Sequence, residues 1–98
     1  MSTMPSEDFI VRHNAPFSRF EAEIGGKLAV ADYRLEGKDM LFTHTFVPPE
    51  MRGRGAAEKL VRAALEWARA QGRRVVPQCS YVAVFIERHA EYQDLVKR

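Results

Sequence analysis

Val47-Pro48-Pro49-Glu50-Met51-Arg52-Gly53-Arg54-Gly55-Ala56-Ala57, followed by the apolar-striped run from Glu58 to Gln71, is the stretch on which the rest of the chain turns. A β-branched segment ends at Val47, prolines and glycines turn the chain, and a helical pattern begins with no bulky residue at its mouth. The first N–H groups of an α-helix have no partner inside the helix, and the aligned peptide dipoles put partial positive charge at the same end. An anion satisfies both. Gly53 and Gly55 allow close backbone approach, Ala56 and Ala57 keep side chains out of the way, and Arg52 and Arg54 add charge at the rim.

Two better-known phosphate loops fail against these residues. The nucleoside-triphosphate loop needs Gly-Lys followed by Ser or Thr, whereas Gly55 is followed by Ala56 and Ala57. The dinucleotide fingerprint needs three glycines in its own spacing near the start of a parallel strand series, and neither condition holds.

Arg52-x-x-Gly55-x-Ala57 between a strand and a long helix resembles the pyrophosphate loop of the GNAT (Gcn5-related) N-acetyltransferases, which bind acetyl-coenzyme A. More narrowly, Val47-Pro48-x-x-x-Arg52-Gly53-x-Gly55-x-Ala57, with Cys79-Ser80-Tyr81-Val82 and Tyr92, is similar to a short GNAT-like family of about this chain length. The resemblance implies an α+β fold: an antiparallel meander, a β-α-β crossover with a splayed parallel strand pair, and a C-terminal helix. It implies acetyl-coenzyme A held by Phe46, Val47, Arg52, Gly53, Arg54, Gly55, Ala56 and Ala57, with the acetyl group passing to an unidentified primary amine. The alternative is a non-catalytic module that binds or senses coenzyme A.

The 98 residues suit a single domain, taken as 5–97, and leave no room for a second. Fifteen basic residues against thirteen acidic ones are too balanced to argue for nucleic acid, for which Arg62, Arg69, Arg73 and Arg74 would be the contacts. One cysteine excludes an internal disulfide, and no apolar run approaches the roughly 20 residues of a membrane span. Residues 1–8 lack the basic start and apolar stretch of an export signal, so a cytoplasmic protein is expected. His13, His44, His89 and Cys79 are scattered without metal-ligand spacing.

Along the chain, Phe9 to His13 reads as a short strand. From Phe17 to Ile24, apolar Phe20, Ala22 and Ile24 alternate with Arg19, Glu21 and Glu23, a strand wet on one face. Gly25-Gly26 makes a hairpin turn, Lys27 to Leu35 returns, and residues 36–39 turn again. Met40 to Val47 puts Met40, Phe42, His44 and Phe46 on one face. Ala57, Leu60, Val61, Ala64, Leu65 and Ala68 form one helical stripe, which Gly72 ends. Val75 to Cys79 should lie parallel to the preceding strand. Pro77 belongs where that strand lacks a neighbour, at the splay or at an outer edge. Val82, Phe85 and Ile86 predict a helix from Ser80 to about Arg88, and Tyr92, Leu95 and Val96 pin the tail.

Acetyl transfer requires a neutral amine, a donor for the developing oxyanion and a way to release thiolate. A lysine of ordinary pKa ~10.4 is only about one part in a thousand neutral near pH 7.4, so a base or a desolvating pocket must help. The resemblance would put an acid tyrosine where Ile86 stands, which leaves Tyr81 and Tyr92 as donors, or as packed tyrosines with tied hydroxyls. Cys79, at the end of the splayed strand, would face the thioester, accept acetyl or pair with coenzyme A as a mixed disulfide, or else serve as a small core residue. His44 is a candidate general base or a core histidine. In ordinary GNAT domains two helices between the first strands cover the acceptor; here Asn14-Ala15-Pro16 is all there is, so an open acceptor side and a large or macromolecular amine are expected.

Overall fold

The computed structural model describes residues 10–98, so Phe9 of the first expected strand lies outside the described residues. Five strands form one sheet in the order β1-β2-β3-β4-β5: β1 (Val11–Asn14), β2 (Arg19–Ile24), β3 (Lys27–Glu36), β4 (Asp39–Phe46) and β5 (Arg74–Pro77). The first four are antiparallel to their neighbours and β5 is parallel to β4. Helix α1 (Ala56–Ala70) makes the connection from β4 to β5, and α2 (Ser80–Arg88) and a 3₁₀ turn (Ala90–Leu95) complete the chain. The expected α+β meander and crossover are therefore present.

Local sequence explains most of the boundaries. Gly25 and Gly26 both take positive φ, +57° and +81°, as a two-residue hairpin between right-twisted strands requires. Helix α1 buries Ala56, Leu60, Val61, Ala64, Leu65 and Ala68 against Phe20, Ala31, Met40 and Phe42 of the sheet. It starts at Ala56, two residues before the expected Glu58, so Ala56 rather than Ala57 begins the buried stripe. A cavity at Leu65, fully buried, would cost about 2–5 kcal/mol.

Three local expectations need correction. Ala15–Phe17 is a 3₁₀ turn closed by Ser18 at φ 54°, so β2 begins at Arg19 and Phe17 is left 68% exposed. Glu21, expected on a wet face, is only 3% exposed, because Arg19, Arg12 and Asn14 converge on its carboxylate, with Arg19 Nε at 2.7 Å and Asn14 Nδ2 at 2.8 Å. Those bonds hold the Glu21 carboxyl below the usual range against the opposing effect of burial.

The third correction concerns β4. Tyr33 pairs with Phe42 while Asp32 pairs with His44, so Thr43 is an extra residue in β4 and the strand's faces exchange there. Phe42 is buried at 1% exposure; His44 is exposed. The two do not share a face. Thr45, opposite buried Ala31, takes the inward position instead.

Ladder pairing between β4 and β5 ends at Phe42 with Pro77, although β4 runs on to Phe46. The Cys79 N–H donates to Phe42 O at 2.8 Å, and the chain then turns into α2. Pro77 is the last residue of β5, at the edge of the ladder, and β4 runs on four residues beyond its pairing with it. On the far side of β5, among the described residues, Val75 meets Val96 in an isolated bridge. Among the described residues, no helix is long and apolar enough to cross a membrane.

Candidate active site

The loop after β4 is built for close approach. Pro49–Met51 forms a 3₁₀ turn in which Met51 and Arg52 N–H groups donate to Pro48 and Pro49 carbonyls, and Met51 is buried beneath. Gly53 and Gly55 take φ of +80° and +81°, a region costly for side-chain-bearing residues. Gly55 is the N-cap of α1, and its carbonyl accepts from Lys59 N–H at 3.0 Å. A Cβ placed on either glycine would meet nothing within 4 Å, so open space rather than protein lies over them.

Among the described residues, the main-chain N–H groups of residues 53–58 donate to no protein acceptor. They border a cleft of about 230 Å³ lined by Val47, Met51, Arg52, Gly53, Gly55, Ala56, Ala57, Glu58 and Tyr81. The cleft brings together the loop residues Val47, Arg52, Gly53, Gly55, Ala56 and Ala57, with Tyr81 of α2 facing them. Arg52 Nε donates to Val47 O at 3.0 Å and ties the loop's exit to its entry. Met51 and Glu58 were not foreseen as lining residues, although both stand within or beside the quoted loop.

Two expected loop residues lie elsewhere. Phe46, 45% exposed, pairs with Val30 and is not part of the cleft wall. Arg54 lines a neighbouring hollow with Gly55, Glu58, Lys59 and Arg62.

Cys79 is the N-cap residue of α2 and half-buried. Its thiol reaches Thr45 Oγ1 at 3.5 Å. Burial pushes the thiol up, but the Thr45 hydroxyl and the N–H groups of Val82, Tyr81 and Thr45 outweigh it and hold Cys79 below the ordinary thiol value. Thr45 was missed because the bulge that aims it at the sulfur leaves no mark in the alternation. Tyr81 is raised by burial, and further by the Glu58 charge, so its phenol keeps its proton at neutral pH and is able to donate. His44, turned outward by the bulge, is not a wall of the cleft.

The remaining candidates are tied into the framework. Tyr92, 2% exposed, donates to Glu66 Oε2 at 2.6 Å, pinning the C-terminal turn to α1. Ile86 is buried in the core. His13 stacks on Phe20, with Tyr33 and Trp67 around it; His89 Nδ1 is 2.7 Å from Phe85 O. Arg62 pairs with Glu58 and Glu91, Arg69 with Asp94 and Arg74 with Asp39, while Arg73 donates to Gly37 O. No cluster among the described residues could hold a metal ion.

The antiparallel meander, the β4-α1-β5 crossover to a parallel strand and the glycine-bearing loop at the mouth of α1 are the features that the sequence resemblance implied. The chain belongs to the GCN5-related N-acetyltransferase family, whose model matches residues 19–95. It is similar in fold to a GCN5-like candidate N-acetyltransferase from Staphylococcus aureus, known from a solution structure, with a TM-score of 0.73 and 24% identity over 93% of this chain and 90% of that one. The family supports acetyltransferase activity in general terms, and acetyl-coenzyme A is the acyl donor it uses.

Proposed function

We propose that the chain binds acetyl-coenzyme A with its diphosphate on the loop of residues 52–57 and passes the acetyl group to a primary amine. One observation carries this reading: the consecutive N–H groups of residues 53–58 lack acceptors among the described residues and open onto a solvent-accessible cleft. Charge-assisted hydrogen bonds contribute about 1.5–3 kcal/mol each, so a few of them supply much of the ~8 kcal/mol of a micromolar complex. Arg52 adds its charge, and protonated Tyr81 donates from the facing wall. Phe46 and Val47, at the end of β4, border the pantetheine arm.

When bound, acetyl-coenzyme A supplies an activated acetyl thioester. The chain's own residues do the rest. His44, exposed by the bulge, takes the proton from the incoming amine, whose nitrogen bonds to the acetyl carbon as the C–S bond breaks and coenzyme A leaves as thiolate, taking a proton from solvent. The Cys79 thiol, donating to Thr45 Oγ1 at 3.5 Å, sits between the end of β4 and the start of α2, close to the thioester. The short connection from β1 to β2, a single 3₁₀ turn, leaves the acceptor side uncovered and suits an amine carried on a macromolecule.

A second reading, a non-catalytic coenzyme A-binding module, draws support from Ile86: it is buried in the core and offers no hydroxyl where the resemblance expects an acid tyrosine. Calorimetric titration with acetyl-coenzyme A tests what the two readings share. An amine panel with thiol-release detection separates them, since turnover excludes the module and binding without turnover excludes the transferase.

A further inference from the structure

The cleft at the mouth of α1 has a neighbour. A hollow of about 350 Å³ is lined by Arg54, Gly55, Glu58, Lys59 and Arg62, and it shares Gly55 and Glu58 with the cleft. Positions 55, 58, 59 and 62 fall on one face of the helix, so the hollow continues the cradle along α1. Three of its four side-chain-bearing residues are cations. Its one carboxylate, Glu58, pairs with Arg62 at 3.3 Å, and Arg62 is held further by Glu91 at 3.4 Å. Arg54 makes no ion pair among the described residues, and Lys59 stands one turn further along the helix.

A hollow with surplus positive charge beside a diphosphate cradle suits another phosphate. Coenzyme A carries one on the 3′ position of its ribose, separated from the diphosphate by that sugar alone. The rise from Gly55 to Lys59 is about 6 Å, the scale of such a spacer. We infer that Arg54 and Lys59, with Arg62 fixed beside them, form a subsite for the 3′-phosphate, and that this subsite makes the chain select coenzyme A over its 3′-dephospho form. The inference rests on the diphosphate reading above. Exposed ion pairs are weak and screened by salt, so each cation should be worth at most about fivefold in affinity.

The test is titration of the full chain with coenzyme A and with 3′-dephospho-coenzyme A, at low salt and at roughly 0.5 M salt. The expected result is a preference for coenzyme A of about fivefold or more at low salt that shrinks at high salt. The double variant Arg54→Gln/Lys59→Gln should bring coenzyme A down to the affinity of the dephospho form, which itself should change by less than about twofold. Equal affinities in the unaltered chain, or a preference that survives the double variant, would overturn the subsite while leaving the diphosphate cradle standing. Failure of both ligands to bind would remove the cradle, and the subsite with it.

Discussion

The thiol of Cys79 meets the hydroxyl of Thr45 at 3.5 Å, bridging the start of α2 to β4 just beyond the last rung that joins β4 to the β5 segment. Thr45 faces inward only because Thr43 is bulged. An irregularity in one strand thereby sets the electrostatics of a sulfur more than thirty residues away.

Alkylation of Cys79 by iodoacetamide, followed against pH, should show a midpoint below that of the same cysteine in the urea-unfolded chain. Burial alone would move it the other way, so the sign reports the hydrogen bonds. Thr45→Val removes the hydroxyl and should move the midpoint upward. A midpoint at or above that of the unfolded chain would refute the assigned contacts.

Gly55→Ala forces a side-chain-bearing residue into φ +81° and should cost about 1–2 kcal/mol in thermal or urea unfolding. Gly72→Ala, at φ +70° beyond the other end of α1, should cost a similar amount. Only the first should weaken coenzyme A binding, by about tenfold or more. Equal effects on binding would mean that the loop acts through stability alone.

His44→Ala should lower turnover with a macromolecular amine by about 10²-fold or more, the contribution of a general base, with acetyl-coenzyme A affinity unchanged. A parallel loss of donor binding would place His44 on the wrong side of the sheet for this role.

Glu21 governs acid stability. Its folded carboxyl titrates below its ordinary value of 4.5, so its stabilising contribution is complete above that pH and disappears as pH falls through the lowered folded value. Glu21→Gln should cost about 1–2 kcal/mol at neutral pH and flatten the stability profile below pH 4.5. A variant whose acid profile matches the unaltered chain would contradict this.

Where the chemistry of a stretch is local, its structure could be read from the sequence. Gly25-Gly26, the stripe from Leu60 to Ala68 and the loop from Arg52 to Ala57 each declare their backbone or their buried face within a few residues. The bulge at Thr43 does not, because residues 40–46 hold no glycine or proline to mark the extra residue, and Leu41, buried like Met40 and Phe42, blurs which face is which. Burial of Glu21 was hidden for a different reason: Arg12 and Asn14 reach it from another strand, nine and seven positions away. The backbone of the loop was therefore legible from the sequence, while the surroundings of Cys79 and the outward turn of His44 depended on long-range register.

The most direct measurement is a titration of ¹⁵N-labelled protein with acetyl-coenzyme A, following each backbone amide. The account predicts saturable shifts concentrated at residues 53–58 and at Tyr81, with little change at Gly72. Binding that left those amides unmoved, or no binding at millimolar ligand, would contradict it.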